Sequence, residues 1–169
     1  MRKLLLCCGP TRPEGYVRLD CNPEHDPDIL AAVPPLPSEV HVELWDRIEL
    51  IHGIEHFWLW DAAPLLRECH SVLRRGGVLV LEQPNLMAAA RVLAGLDPPQ
   101  YKGTLESAMW PLYGDPAHRD TGYMHRWGYT PETLTALLRE SGAWASIRVL
   151  PQQYHAYARG RDFRVEAVR

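Results

Sequence analysis

Asp46-Arg47-Ile48-Glu49-Leu50-Ile51-His52-Gly53-Ile54-Glu55-His56-Phe57, followed by Leu65-Leu66-Arg67-Glu68-Cys69 and by Val72-Leu73-Arg74-Arg75-Gly76-Gly77-Val78-Leu79-Val80-Leu81, decides the fold. Arg47 to Ile51 alternates as a half-buried strand does and runs into a turn at Gly53. Asp61 is placed to cap a helix, with Pro64 tolerated in a first turn whose N–H groups have no partner. Leu65, Leu66, Cys69, Val72 and Leu73 fall on one stripe at helical spacing. Arg74 and Arg75 suit the negative end of that helix, and Gly76 supplies a left-handed residue after it. Val78 to Leu81 is apolar throughout, as in a strand buried on both faces. The stretch is a βαβ unit, and its crossover is right-handed.

Before this unit, Lys3 to Cys8 reads as a first strand ending at Gly9-Pro10, and Tyr16 to Leu19 as a second ending at Asp20. The link between them carries Pro10 and Pro13, so no crossover helix fits there. Seven extended residues reach roughly 23–25 Å, enough to return along a short strand. Asp28-Ile29-Leu30 is a weak third strand, Pro34 to Pro37 a rigid turn, and Ser38 to Trp45 is ambiguous. After the unit, Leu86 to Leu96 is an Ala-rich helix. Residues 97–128 are expected to form an irregular, lid-like insertion, since Gln100 to Gly128 has no clean period. Thr130-Pro131 opens a helix that Gly142 closes, and Trp144 to Leu150 with Arg161 to Val168 reads as a closing hairpin. The class is α/β, mostly parallel with an antiparallel end, in a single domain over residues 1–169.

Composition narrows the chemistry. A 169-residue chain with 46% hydrophobic and 23% charged residues can bury a core without metal or disulfides. A net charge of -3 gives no electrostatic reason for non-specific nucleic-acid binding. Cys7, Cys8, Cys21 and Cys69 form no C-x-x-C pair, which reads as reduced thiols in a cytoplasmic protein. No stretch reaches membrane-spanning length. A glycine turn after the first strand and an acid ending the second suit a nucleoside at the carboxyl edge of an open sheet. Gly9 allows close backbone approach, and Asp20 can accept from both ribose hydroxyls. G-x-G-x-x-G and the P-loop are both absent, which argues against a pyrophosphate ligand.

The ordered set is more specific than either feature. Leu4-Leu5-Leu6-Cys7-Cys8-Gly9-Pro10, Glu14 to Asp20, Asp28-Ile29, Leu36-Pro37, the quoted central stretch and Gln83-Pro84-Asn85 together resemble the compact class I methyltransferases that use S-adenosylmethionine, most closely the type 11 group. Gly122-Tyr123-Met124-His125-Arg126-Trp127 and the helix from Thr130 are similar to that group's later segment. The resemblance implies a Rossmann-like three-layer sandwich around a seven-strand, mostly parallel sheet whose last strand is antiparallel; here its first crossover helix is reduced or absent. It implies S-adenosyl-L-methionine as cofactor, contacted by Cys7, Cys8, Gly9, Asp20, Cys21, Val33 and His52. It further implies acceptor contacts from His56, Tyr123 and Trp127, with His125, His52 and His118 as catalytic candidates. A small-molecule, glycan or lipid acceptor is expected rather than nucleic acid. Cys7 replaces the first glycine of the group's G-C-G turn, and Ala32 replaces an acid. These departures support a second reading, a catalytically silent cofactor-binding or partner subunit of the same fold.

A third reading comes from His52-x-x-Glu55-His56, which matches a zinc-hydrolase pattern. That chemistry needs both histidines on one helical face; a strand runs into His52 and Gly53 follows, so no metal site is expected. His25, His41, His70 and His155 receive no functional reading, and Trp58 and Trp60 read as helix-entry packing. The missing crossover helix leads us to expect exposed apolar sheet and hence a homodimer.

Overall fold

The computed structural model describes residues 1–99, 103–155 and 160–169; residues 100–102 of the expected 97–128 insertion lie outside the described residues. The strands are β1 (Lys3–Leu6), β2 (Tyr16–Asp20), β3 (Ile29–Leu30), β4 (Trp45–Ile51), β5 (Leu73–Pro84), β6 (Ser146–Pro151) and β7 (Asp162–Val168). The helices are α1 (Leu59–Val72), α2 (Leu86–Leu93), α3 (Trp110–Tyr113) and α4 (Pro131–Ser141). One seven-stranded sheet has the order β3-β2-β1-β4-β5-β7-β6. The pairs from β3 to β5 are parallel, while β7 runs antiparallel to both β5 and β6. This is a Rossmann-like α/β sandwich of the expected class. Among the described residues no helix is long and apolar enough to cross a membrane.

The central unit forms as β4-α1-β5, but its helix is shifted toward the N-terminus. Trp58, not Asp61, is the N-cap, and its carbonyl accepts from the N–H groups of Asp61 and Ala62, both at 2.9 Å. Pro64 therefore lies inside the helix, where its ring removes a bond to the carbonyl of Trp60; that end of the helix is exposed and water can serve it. At the other end the helix stops at Val72 and Leu73 enters β5 beside Trp45. Leu73 and Trp45 are both fully buried, so extending the sheet by this pair outweighs another helical turn. Gly76 keeps its left-handed φ of 76°, yet it serves a bulge between the Trp45–Leu73 and Arg47–Val78 pairs rather than a helix end. Arg74 turns to Asp46 at 2.5 Å.

The core packs Leu4, Leu6, Leu19, Ile48, Leu50, Leu79, Leu81 and Val165 of the sheet against Leu65, Leu66 and Cys69 of α1 and Leu134 and Leu138 of α4. The N-terminus of α4 is set by Thr130 and Thr133, which exchange backbone–hydroxyl bonds at 2.9 and 3.3 Å. Chain order confirms that no helix joins β1 to β2. The sheet face away from the core nevertheless carries charged pairs around the buried Leu5 and Val80. The Lys3 ammonium lies 5.0 Å from the Tyr16 ring centre, the Tyr16 hydroxyl donates to Glu49 at 2.8 Å, and Arg47 pairs with Glu49 at 2.5 Å. Further across, Arg164 pairs with Glu82 at 3.0 Å, and Arg148 with Glu166 at 3.0 Å. The bare apolar face that motivated the homodimer is not what these strands present.

Candidate active site

β1 ends two residues earlier than the sequence pattern suggests, because Cys7 adopts a left-handed φ of 52°. Cys8 then donates its N–H to Leu19 at 3.1 Å, which seats the turn beside β2. Gly9, at φ 54°, donates its N–H to Asp20 Oδ2 at 2.9 Å, and the position of its absent Cβ faces open space. The other oxygen of Asp20 accepts from the Asn22 N–H at 2.9 Å and lies 3.2 Å from His25 Nδ1. Asp20 is thus 7% exposed and already holds two turns together. Burial raises the Cys7 thiol far above its ordinary range and raises Cys8 as well, so neither is a thiolate nucleophile.

His52 directly follows β4, also with a left-handed φ of 49°. Its N–H donates to the Glu82 carbonyl at 2.7 Å. Its ring lies between two carboxylates, with Nδ1 3.2 Å from Glu55 Oε1 and Nε2 3.3 Å from Asp162 Oδ2. Burial opposes its charge, but the two acids outweigh burial and raise its pKa to about 9. The two acids thus favour the imidazolium, which has no lone pair to accept a proton. Asp162 is held well below the ordinary carboxylate range: burial pushes it up, and bonds from His155, His52 and Arg161 pull it further down. The distances are 3.0 Å from His155 Nδ1 and 2.8 Å from Arg161 Nε.

Segment 121–127 closes the opposite wall. Arg126 and Trp127 donate their N–H groups to the Glu55 carbonyl at 2.8 and 3.2 Å, tying this segment to the turn after β4. His56 Nδ1 donates to the Met124 carbonyl at 3.1 Å, and His125 Nδ1 to the Pro111 carbonyl at 3.0 Å. The two rings meet edge to face with centres 5.0 Å apart. His125 Nε2 lies 4.0 Å from Glu55 Oε1. Burial holds His125 below the ordinary histidine value, so this nitrogen is unprotonated. His118 stacks on Tyr123 with ring centres 4.4 Å apart, and the Tyr123 hydroxyl meets His25 Nε2 at 3.1 Å.

All of this surrounds one cleft of about 1410 Å³ at the carboxyl ends of β1, β2 and β4. Cys7, Cys8, Gly9, Asp20, Cys21, Val33, His52, His56, His118, Tyr123 and His125 all line it. Trp127 is not among the lining residues and is 42% exposed. His25 and His155, dismissed from the sequence, line the cleft too, as do Trp58 and Arg161. Asn22-Pro23 hinted at the first, since an Asn cap before proline folds the chain back after Asp20. Nothing in the sequence placed His155 near His52. The zinc pattern lacks its geometry: Ile54–His56 is one 3₁₀ turn, so His52 and His56 share no helical face. Instead the ligand atoms gather as two groups, His52 with His155 and Asp162, and Glu55 with His56 and His125.

No family model and no curated protein matches the sequence. Solved structures do match the fold. A methyltransferase dependent on S-adenosylmethionine from Archaeoglobus fulgidus has a TM-score of 0.66 at 16% identity, over 99% of this chain and 86% of that one. One from Thermotoga maritima has 0.64 at 12% identity, over 99% and 81%. One from Clostridium acetobutylicum has 0.59 at 10%, over 99% and 83%. The chain thus has the fold of the class I S-adenosylmethionine-dependent methyltransferase superfamily.

Proposed function

We propose that this protein is a compact class I methyltransferase of the type 11 kind, transferring a methyl group from S-adenosyl-L-methionine to a small-molecule, glycan or lipid acceptor in the cytoplasm. The carrying observation is the Gly9 turn hydrogen-bonded to Asp20 in the wall of the cleft at the carboxyl edge, beside the point where strand order reverses between β1 and β4. The residues fit such a cofactor. Gly9 leaves open space, and Asp20 Oδ2 accepts one protein N–H, which leaves a lone pair for a ribose hydroxyl. Ala32 offers no acid to an adenine amine, so backbone near Val33 would have to serve that edge.

The cofactor supplies a methyl group on a sulfonium, and the chain contributes mainly position and exclusion of water. Tyr123 and His118 cover the cofactor end through His25, while His56 and His125 form the acceptor end. His125 offers an unprotonated nitrogen there, the group a protonated acceptor requires. His52 serves as a fixed positive charge that orients Glu55 and Asp162.

The silent-subunit reading keeps one supporting observation, the Cys7 side chain where the related turn carries glycine. Calorimetry with S-adenosylhomocysteine, followed by labelled methyl transfer to an acceptor panel, separates the two. Binding with turnover is expected. No binding at millimolar ligand rejects a cofactor site, and binding without turnover on any acceptor favours the silent subunit.

A further inference from the structure

We propose that Glu55, His56 and His125 form a binding site for one divalent first-row transition-metal ion in the wall of the cleft. One ligand atom from each residue lies within 4.8 Å of the others, and Glu55 Oε1 and His125 Nε2 are 4.0 Å apart. Closing such a triad onto an ion at about 2.0–2.2 Å asks each ligand to move less than about 1 Å.

Both imidazoles are already oriented for this task. His56 and His125 each give Nδ1–H to a backbone carbonyl, of Met124 and Pro111 respectively. That fixes the tautomer and leaves the lone pair on Nε2, the arrangement in which protein histidines bind metals. The third ligand supplies an independent observation. Glu55 is 2% exposed, and its Oε2 is buried with no hydrogen-bond partner. A buried carboxylate oxygen without a donor is costly, and an ion would satisfy it. The backbone bonds from Arg126 and Trp127 to the Glu55 carbonyl hold the two halves of the triad in register.

Two imidazoles and one carboxylate suit zinc, manganese, cobalt or ferrous iron better than calcium or magnesium. Three protein ligands leave coordination positions for an oxygen or nitrogen of whatever enters the cleft. The neighbouring group, His52, His155 and Asp162, is a poorer site because the Arg161 guanidinium already occupies Asp162 at 2.8 Å. The ligand set differs from the zinc pattern in the sequence: it takes His125 in place of His52 and needs no helix. It runs against the expectation of no metal and stands on this geometry whether or not methyl transfer occurs; a bound ion would take the His125 Nε2 lone pair in place of a proton.

The test uses the full chain, stripped with a chelator. Titration with Co²⁺ is followed by visible absorption, and with Zn²⁺ and Mn²⁺ by calorimetry. A single ion per chain is expected, bound at least about tenfold more weakly after Glu55→Gln, His56→Ala or His125→Ala. His70→Ala, which removes a ring packed on Trp144 away from the cleft, should bind as the parent does. Circular dichroism establishes that each variant is folded; should Glu55→Gln fail, the half-buried His56 carries the test. No saturable binding up to millimolar metal overturns the proposal. So does binding that survives all three substitutions, or binding lost in His155→Ala but kept in His56→Ala.

Discussion

At the scale of single residues, the proposed cofactor edge depends on a left-handed cysteine and on an acid that braces two turns. Asp20 accepts from the Gly9 and Asn22 N–H groups, so Asp20→Ala removes a turn brace as well as the proposed ligand contact. Its affinity for S-adenosylhomocysteine should fall by about 1–3 kcal/mol, and the ligand-free protein should also melt earlier. Affinity lost with an unchanged melting temperature would make Asp20 a ligand group alone; the reverse would make it a brace alone. Cys7 is the complementary case. A left-handed conformation costs an L-residue about 1–2 kcal/mol, while glycine adds about 0.4–1 kcal/mol of unfolded-state entropy. Cys7→Gly should therefore leave stability level or slightly raised, and it should tighten cofactor binding by removing the side chain beside Gly9. Denaturant unfolding and calorimetry measure both; a stability loss above about 1 kcal/mol would mean that thiol packing outweighs the backbone strain.

At the scale of elements, the sequence pattern identified α4 and the parallel pair β4–β5 because their signals are local: a Thr-Pro cap, a stripe and an apolar run. It misread Gly76 because a Gly after two arginines suits a helix end as well as a strand bulge, and only the buried Trp45–Leu73 pair decides. It also missed the latch that carries the 121–127 segment. Tyr123 reaches His25, and His25 reaches Asp20, so a ligand at the end of β2 and the covering segment share one chain of contacts. Tyr123→Phe keeps the stack on His118 but removes the hydroxyl bond. The loss of one neutral hydrogen bond, about 1 kcal/mol, should weaken cofactor affinity roughly fivefold. Dissociation should account for the change if the segment covers bound cofactor; unchanged dissociation would mean that the latch is decorative.

At the scale of the whole molecule, the carboxyl edge of β1, β2 and β4 was legible because strand ends are local features. The cleft's ion-paired wall was not, since it joins His52 to residues 110 positions later in chain order through β7 pairing. Periodicity marks which side of a strand is buried and says nothing about which distant acid meets which histidine. That wall also sets the acid sensitivity of the fold. Asp162 is depressed below its unfolded value of 3.8 by His155, His52 and Arg161, against the opposing push of burial. A depressed carboxylate contributes stability that is present above its unfolded pKa and is lost as pH falls below it toward the folded value. The parent protein should therefore lose stability progressively from about pH 4 downward. Asp162→Asn cannot lose a charge it lacks. At pH 7 it should be less stable by on the order of 3 kcal/mol, because Arg161 and His52 face a neutral amide in a buried site. Its stability should then decline less steeply with acid, so that the two curves converge at low pH. Denaturant titrations at a series of pH values read this directly, and parallel curves would show that Asp162 does not carry the acid response.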